Sequence, residues 1–442
     1  MNDIKISIIM PVYNAGTYLR EALDCVLAQD FPYYKAYCID DCSDDGSYEV
    51  LSAYQKKDAR IQVYRNEKRM GAAYARNFAL QMVDTPYVGF LDADDLTEPN
   101  LFSEMYQAIR TYQADIAYCE WDIFEDNTDN VVIASRRPDS DEEKSQAKAP
   151  HSLKELSIDH ALKISNAPWL FLLRSSFLRE KGLKFQSLAS RNDVYFFEMA
   201  KMLAERMVHV SGFQALVHQR KHGSVSRIGN LSEPMNRFYA YLEIKKGMER
   251  HGIGDTYAAY FFSRCLSDMR YEAAIAAKPE QREPFFNFLR ESGLEQLGIC
   301  RESLKKSNVL DSVFYFYDCF RCGTICDMGQ TPFGERLLLA SGKMRELWNS
   351  LKGKKVAFWG IGRRMDAVWE LFGQEIDFTV CFIDAWKAGG AYQGRKIVKY
   401  EQVVNENDVI LILNSLYRKE IIDTVESCHG KEEILELEKY VV

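Results

Sequence analysis

Residues 87–95 read YVGFLDADD, an apolar run followed by three aspartates in four positions. The apolar and aromatic residues predict a strand over 87–91. Because alternate residues of an extended segment project to the same side, Asp92 and Asp94 can face one ligand at the end of that strand. Hard divalent cations prefer oxygen ligands, and one that bridges a diphosphate usually takes one or two carboxylates from the protein. The pair therefore indicates a Mn²⁺ or Mg²⁺ site, although an isolated pair of this kind more often marks a solvated turn or a helix cap.

The sequence before this stretch alternates between strand patterns and helix patterns. Three earlier strands with three intervening helices are predicted, over residues 4–10, 17–29, 35–39, 47–57, 61–65 and 72–83. Such alternation is typical of an α/β domain with a parallel sheet and crossover helices. The loops that follow the strands are then expected to meet at one edge of the sheet.

Polar side chains are concentrated in those loops. After the second strand the chain reads DDCSDDGS over 40–47, where a turn and a helix cap explain Gly46 and Ser47 but not Asp40 and Asp41. Carboxylates this dense need partners, and at a strand end they can accept hydrogen bonds from a base or a ribose. The site therefore has the polar groups that a nucleotide requires.

Two further loops carry residues suited to a nucleotide. PVYN over 11–14 follows the first strand, and its Tyr13 can stack on a base. GAAYARN over 71–77 follows the third, and its Arg76 can neutralise phosphate charge with a forked set of donors. The convergence of four strand ends, rather than any single motif, carries the inference.

The four motifs together closely resemble the N-terminal half of the family 2 glycosyltransferases, which have the GT-A fold. The resemblance runs from Ile6 to about Asp95. It implies that Tyr13 and Asp41 contact the base, that Arg76 helps to hold the donor, and that Asp92 and Asp94 hold it through a metal. A uridine donor is the commonest expectation. The donor-binding residues expected in these loops are Pro11, Tyr13, Asn14, Asp41, Asp44, Arg76, Asp92 and Ala93.

The resemblance continues more thinly to about Ser226. Trp169, in WLFLLR, corresponds to a residue beside the acceptor pocket, and RNDVYF over 191–196 resembles the family's Glu-Asp motif. The aspartate of that motif is the family's catalytic base, which implies this role for Asp193; Asn192 stands in place of the usual glutamate. A carboxylate placed there can take the proton of an attacking hydroxyl. Taken alone, Asp193 is more often a helix N-cap.

A loop with the sequence QRKHGSVS, over 219–226, resembles the family segment that closes over the donor. It implies that Arg220 and His222 are donor-binding, with Arg220 stabilising the charge that grows on the departing diphosphate. Taken alone, His222 is more often a surface histidine.

The rest of the chain predicts three regions of different character. The segment 125–148 is polar without periodicity and is expected to be a mobile loop or an insertion near the acceptor. Residues 231–351 have helical spacing, and from Lys354 onward strands and a glycine turn predict a small Rossmann-like unit. We therefore expect a catalytic domain over 1–228, a helical linker domain over 229–351 and a Rossmann-like domain over 352–442.

Two features of the C-terminal half have more than one interpretation. GIGRRM over 360–365 is a partial dinucleotide fingerprint with Met365 at the third glycine position, and Asp384 stands where a ribose-binding acid could follow a strand. The unit either binds a nucleotide or is structural and supports a homodimer. The spacing of Cys319, Cys322 and Cys326 fits either a metal site or buried helical thiols, and it lacks a fourth ligand nearby.

Composition excludes several classes of protein. The 442 residues are 47% hydrophobic and 27% charged, which is ordinary for folded domains. The net charge of -8 would repel a nucleic acid. The start of the sequence has no signal-peptide pattern, and no apolar run approaches the roughly 20 residues of a membrane span. With eleven scattered cysteines, a cytoplasmic location with at most peripheral contact at the inner face of the membrane is expected.

The sequence thus predicts a metal-dependent glycosyltransferase that moves a sugar from a nucleotide donor, a UDP-sugar by family expectation, to a saccharide or glycolipid acceptor. Inversion at the anomeric carbon and a setting in cell-surface polysaccharide synthesis follow from the resemblance alone. Three alternatives stay open: a nucleotidyltransferase, which would want a basic glycine-rich first loop; a catalytically degenerate sugar-nucleotide scaffold; and oxidoreduction by the C-terminal unit.

Overall fold

The computed structural model describes most of the N-terminal two thirds of the chain and selected parts of the remainder. It describes residues 3–119, 121–124, 131–133, 150–210, 217–220, 233–273, 279–307, 309, 313, 316–317, 320–321, 341–359, 368–369, 379–383, 391–392, 395–404, 407–412, 418–428, 431 and 433–436. The chain divides into two compact units, Met1–Val309 and Leu310–Val442.

The first unit is built on a seven-stranded sheet whose strand order is β10-β6-β9-β4-β1-β2-β3. Its strands are β1 Ile6–Val12, β2 Tyr34–Asp40, β3 Ile61–Arg65, β4 Tyr87–Phe90, β6 Ile116–Cys119, β9 Phe171–Arg174 and β10 Met207–Val210. Strands β1 to β4 are mutually parallel where they pair, whereas β9 runs antiparallel to β4 and β6. Nearly every residue of β1 and β2 is buried, as expected of parallel strands covered on both faces.

Helices connect the strands as the sequence predicts. The helices of the sheet layer are α1 Tyr18–Leu27, α2 Ser47–Lys57, α3 Ala72–Met82, α4 Leu101–Thr111, α5 Ile158–Lys163, α6 Ser175–Lys181 and α7 Val194–Leu203. Short 3₁₀ turns lie at Leu153–Glu155 and Pro168–Leu170. The predicted strands and helices of the first 91 residues are confirmed to within a few residues at their ends, and the α/β fold class is confirmed.

A smaller four-stranded sheet has the order β5-β11-β7-β8. Its strands are β5 Leu96–Thr97, β7 Trp121–Phe124, β8 Val131–Ile133 and β11 Val217–Arg220. Strand β8 pairs antiparallel with β7, within the segment predicted to be an irregular loop. That prediction is wrong for Val131–Ile133, because a run of three β-branched residues favours a strand even among polar neighbours. The remaining positions of 125–148 lie outside the described residues.

The predicted helical region begins inside the first compact unit. Its helices there are α8 Pro234–His251, α9 Gly254–Tyr271, α10 Pro279–Phe288, α11 Leu294–Gln296 and α12 Arg301–Lys306, with a π-helical turn at Leu289–Gly293. Helix α8 packs closely on α7, since a Cβ added at Gly247 would lie 2.8 Å from Sδ of Met199. The division into three domains at 228 and 351 stays a prediction.

The second unit contains a six-stranded sheet of order β14-β15-β13-β12-β16-β17. Its elements are α13 Ser341–Ser350, β12 Lys355–Trp359, β13 Thr379–Ile383, β14 Ala391–Tyr392, β15 Arg395–Val398, a 3₁₀ turn Tyr400–Gln402, β16 Val409–Ile412, α14 Arg418–Ser427 and β17 Glu433–Glu436. All strands but β14 pair in parallel. This order around the first strand is that of dinucleotide-binding folds. The turn 360–365, Asp384 and Cys319, Cys322 and Cys326 lie outside the described residues.

Among the residues that the structure describes, no helix combines the length and apolarity needed to cross a bilayer.

Candidate active site

The register of the sheet brings three predicted loops to one edge. Val12 at the end of β1 pairs with Asp40 at the end of β2, and Ile9 pairs with Phe90 at the end of β4. The backbone N–H of Asp41 donates to the carbonyl of Val12 at 2.8 Å, so the chain leaves β2 beside the start of the first loop. Strands β2 and β3 are added on one side of β1, and the chain then returns to place β4 on the other side, so a topological switch point lies between β1 and β4. Ligands of open α/β sheets bind at the carboxyl ends of the strands near such a point.

The loops after β1 and β2 are tied together by hydrogen bonds. Asn14 donates from Nδ2 to Oδ1 of Asp44 at 2.8 Å, and the backbone N–H of Asp44 donates back to Oδ1 of Asn14 at 3.1 Å. The N–H of Gly16 donates to Oδ2 of Asp45 at 2.8 Å. Asn14 has a φ of 46°, in the left-handed region that asparagine tolerates better than most residues. Part of the acidic run therefore shapes the loops that would surround a nucleotide.

Asp41 is a nearly buried carboxylate that accepts three hydrogen bonds. The donors are Nδ2 of Asn66 at 2.8 Å and the backbone N–H groups of Met70 at 2.8 Å and Gly71 at 2.7 Å. These bonds fix the segment that leads from β3 into α3. The contact of Asp41 with a base stays a prediction. The sequence pattern did not indicate that Asp41 would hold this segment in place.

Tyr13 offers an aromatic surface to solvent beside these loops. Its side chain is 40% exposed, and the guanidinium of Arg69 lies 4.1 Å from the ring centroid. Pro11 lies within β1, two positions before Tyr13. An exposed ring held from one side by a cation is suited to stacking on a flat ligand.

Arg76 is the central contact of the site. It is almost fully buried on α3, and its Nη2 donates to Oδ1 of Asp92 at 2.8 Å while Nη1 donates to Oδ1 of Asn192 at 3.2 Å. Its Nε is buried without a hydrogen-bond partner among the described residues. Phe185 lies under the guanidinium at 5.4 Å. One side chain thus joins the Asp92 loop to the loop that contains Asp193.

The Asp92 and Asp94 carboxylates lie just after β4 and are both partly exposed, while Ala93 between them is buried. Within the described ranges, no group of three or more His, Cys, Asp and Glu side chains is arranged to hold a metal by itself. Two accessible carboxylates fit a cation whose other ligands come from a diphosphate and water.

Asp193 stands at the N-cap position of α7, but its side chain makes no capping hydrogen bond. Burial raises the pKa of its carboxyl above the usual 3.8, and the positive charges of Arg76, Arg237 and Arg191 oppose that rise. A carboxylate with a raised pKa is a stronger base than a solvated one. The Asp193 side chain therefore does not act as a simple helix cap.

The remaining predicted residues differ in how well they can be located. Trp169 is buried in the 3₁₀ turn before β9, where its ring packs edge to face on Trp121 at 5.4 Å. Arg220 ends β11, and its side chain lies outside the described part. His222 also lies outside the described residues. The acceptor and donor roles of these three stay predictions.

Residues missed by the sequence pattern include Arg191 and Glu272. Arg191 donates from Nε to Oε1 of Glu272 at 2.6 Å, across a separation of 81 residues along the chain. A signal did exist for Asn66, which follows β3 as the other loop residues follow their strands. No sequence signal pairs Arg191 with Glu272, because a single sequence does not show which of two charged residues 81 positions apart will meet in the fold.

The mainly parallel sheet, with its switch point between β1 and β4, gives this unit an α/β fold of the GT-A class. Residues 7–180 match the model of the family described as Glycosyl transferase family 2. This segment is similar to that family, and the chain is a glycosyltransferase.

Known proteins resemble different shares of the chain. Glycosyltransferase GlyG of Streptococcus pneumoniae is 25% identical over 232 residues, which are 50% of this chain and 73% of GlyG. The putative teichuronic acid biosynthesis glycosyltransferase TuaG of Bacillus subtilis is 44% identical over 90 residues, 20% of this chain and about a third (36%) of TuaG. The crystal structure of S. aureus TarS 1–349 in complex with UDP covers 77% of this chain and 92% of that one, with a TM-score of 0.55 and 20% identity, and this likeness shows the fold.

Proposed function

We propose that this protein transfers a sugar from a UDP-sugar to a saccharide or lipid-linked acceptor, with a divalent cation and with inversion at the anomeric carbon. The observation that carries the proposal is the double contact of Arg76, which donates to Asp92 on the donor side and to Asn192 beside Asp193. A carboxylate pair suited to a diphosphate and a carboxylate suited to deprotonation are thereby joined through one buried cation.

Asp92 and Asp94 would hold Mn²⁺ or Mg²⁺, which would draw off the negative charge that develops on the departing diphosphate. Arg76 already neutralises Asp92 at 2.8 Å and would add its charge to the same region. Because it is almost fully buried, its charge acts where water screens it little. Arg220, at the end of β11, and His222 are the proposed donor contacts from the segment 219–226.

Asp193 would take the proton of the acceptor hydroxyl as its oxygen forms a bond to the anomeric carbon. The bond from that carbon to the diphosphate oxygen breaks, and the nucleoside diphosphate departs with the electron pair. A single displacement from the face opposite the leaving group inverts the anomeric centre. Asp193 is suited to this role because burial raises the pKa of its carboxyl and no capping hydrogen bond occupies it.

The donor nucleotide and the acceptor are proposed from Tyr13 and from the descriptions of similar proteins. The exposed ring of Tyr13 provides a stacking surface beside the Asp41 loop, and TarS, which shares the fold, has been crystallised with UDP. The name of TuaG refers to teichuronic acid, a cell-wall polymer, which supports a role in cell-surface polysaccharide synthesis. Trp169 is proposed to support the acceptor side from within the core, and the protein is proposed to act in the cytoplasm, with at most peripheral contact at the inner face of the membrane.

The proposal is tested by sugar transfer with and without the base. Purified wild type and Asp193→Ala are incubated with labelled UDP-sugars, Mn²⁺ and an extract of bacterial cell-wall polymers and lipid-linked saccharides, and labelled polymer and released UDP are measured. We expect Asp193→Ala to bind UDP as wild type does and to transfer roughly 10² to 10⁴ times more slowly. Equal transfer rates would remove the base assignment.

One observation favours a second candidate, a sugar-nucleotide-binding scaffold without catalysis. Asn192 occupies the position where the resemblance leads one to expect a glutamate, so one carboxylate of the motif is absent. The Oδ1 atom of Asn192 nevertheless accepts from Arg76 at 3.2 Å, as a glutamate oxygen could. Donor binding without transfer to any acceptor fraction by wild type would favour the scaffold.

A further inference from the structure

A buried ion cluster lies behind the loop that carries Asp193. Oε1 of Glu272 accepts from Nε of Arg191 at 2.6 Å and from Nε of Arg237 at 3.0 Å. Arg237 also donates to Oδ2 of Asp268 at 2.9 Å, and Tyr241 donates to the same oxygen at 2.7 Å. The Glu272 side chain is completely buried. All of these residues except Arg191 lie on α8, on α9 or directly after α9.

The loop that this cluster holds has a constrained backbone. Arg191 has a φ of 58°, in the left-handed region that residues with a Cβ rarely adopt, and it precedes Asn192 and Asp193 directly. Such a conformation persists only where surrounding contacts hold it. The ion pair from Arg191 to Glu272 is a contact of that kind, made by the strained residue itself.

Other bonds tie the same loop to α8. Asn236 donates from Nδ2 to Oγ of Ser190 at 3.1 Å, and Gln186 donates from Nε2 to the carbonyl of Tyr239 at 3.3 Å. The helix is therefore in contact with the loop at both ends of the segment 186–191. The Arg191 pair is the ionic member of this set and is fully desolvated at its Glu272 end.

We propose that Glu272 is a positioning residue for sugar transfer, which holds the Arg191-Asn192-Asp193 loop in register with Arg76 from helices that lie beyond the family domain. This inference rests on the proposed function of Asp193 as the base. The cluster is otherwise unexplained, because a buried ion pair is weak evidence for stability alone.

Charge supplies a readout that packing alone would not change. The groups that act on Asp193 are Arg76 from α3, Arg237 from α8 and Arg191 from its own loop, each of which lowers the pKa of its carboxyl. Glu272 neutralises Arg191 and Arg237, and Asp268 neutralises Arg237. Glu272→Gln should leave both arginines less compensated and lower the pKa of Asp193, whereas Arg191→Met should raise it.

The experiment compares kcat, the donor KM and the pH dependence of kcat/KM for wild type, Glu272→Gln, Arg191→Met and Asp193→Asn. We expect kcat to fall about 10- to 100-fold in the first two variants, as for a misplaced catalytic group, with donor KM within about twofold of wild type. The acid limb of the profile should move to lower pH in Glu272→Gln and to higher pH in Arg191→Met.

Glu198→Gln is the matched control. Glu198 is equally buried and accepts from Lys201 at 3.2 Å and from Tyr260 at 2.7 Å. Arg264, which lies 3.3 Å from Glu198 and 3.8 Å from Asp268, links it to the far end of the Glu272 cluster, and no described bond joins Glu198 itself to the 186–193 loop. It should lose thermal stability without moving the acid limb. A limb that moves equally in Glu198→Gln would show a general effect of lost buried charge and overturn the positioning role.

The outcomes separate the two levels of the proposal. If Asp193→Asn transfers sugar as fast as wild type, the base assignment fails whatever Glu272 does. If Asp193→Asn is inactive while Glu272→Gln and Arg191→Met keep wild-type kcat and profile, the positioning role alone fails. Should Glu272→Gln not fold, Arg191→Met decides, because the Arg191 side chain is partly exposed. Loosened packing would hydrate Asp193 and lower the pKa of its carboxyl, whereas loss of the Arg191 charge should raise that pKa.

Discussion

At the scale of single residues, Asp193 combines its proposed role as the base with an environment that disfavours its charge. Burial raises the pKa of its carboxyl above 3.8, so the folded chain binds that proton more tightly than the unfolded chain does. The stability contributed by protonation is complete below the unfolded pKa and is lost as the pH rises through the folded pKa. At neutral pH the ionised carboxylate therefore destabilises the fold, which is the expected trade at a functional site.

The first prediction concerns this residue. Asp193→Asn should melt at a higher temperature than wild type at pH 7, because asparagine has nearly the same shape as aspartate but carries no charge that must be buried. The difference should shrink as the pH falls through the folded pKa toward 3.8. Differential scanning calorimetry from pH 4 to pH 8 measures it, and a lower melting temperature at pH 7 would contradict the environment described for Asp193.

The sequence indicates the candidate site residues but not the partners that the structure gives them. The types and spacing of Asp92, Asp94 and Asp193 carry chemistry that can be read directly, and their positions at strand and helix ends follow from periodicity. The contacts of Arg76 with Asp92 and Asn192 join residues 16 and 116 positions apart, and a single sequence contains no signal for such pairing. The three hydrogen bonds that Asp41 accepts from the loop before α3 are likewise without a sequence signal, and its role toward a base stays a prediction.

At the scale of elements, the start of α3 depends on one glycine. Gly71 has φ 88° and ψ 159°, a region that is essentially restricted to glycine, and its N–H donates to Asp41. That conformation turns the chain from the Asp41 contacts into the helix that presents Arg76. No atom lies within 4 Å of where a Cβ would stand. The effect of a substitution there would therefore come from the backbone conformation and not from a steric clash.

Gly71→Ala should lower the free energy of unfolding by about 1 to 3 kcal/mol and weaken donor binding, since the helix that carries Arg76 begins directly after this turn. Urea unfolding with UDP titration measures both effects. Gly254→Ala is the matched control, because Gly254 also has open space around it but lacks a positive φ. Equal losses in the two variants would show that the conformation of Gly71 is not what matters.

Elements with strong periodicity were predictable, and a short strand in a polar segment was not. The parallel strands β1 to β4 are apolar runs between clear turns, so their pattern is unambiguous. Strand β8 has only three residues, all of them β-branched, which is too short a run for a strand pattern to stand out, and it is completed by its pairing with β7. The helices after residue 231 were predicted from spacing, while their ion pairs to the 186–193 loop were not.

At the scale of the whole molecule, the candidate site lies within Met1–Val309, the first compact unit. A chain cut at 309 should keep its melting temperature and its response to UDP. A chain cut at 228, the boundary expected from sequence, would lack α8 and α9 and should expose the face of α7 on which Gly247 packs. Thermal melts of the two truncated chains with and without UDP compare them, and equal behaviour of both would support the boundary at 228.

The central claim is that this edge of the sheet binds a nucleoside diphosphate through a cation held by Asp92 and Asp94. The most direct measurement is a thermal-shift panel of UDP, GDP, CDP and dTDP, each with Mn²⁺ and then with EDTA, on wild type and on Asp92→Ala and Asp94→Ala. We expect UDP with Mn²⁺ to raise the melting temperature of wild type by on the order of 5 °C at a hundredfold excess over Kd. EDTA or either substitution should remove that shift. The absence of a metal-dependent shift with every nucleotide would contradict the account.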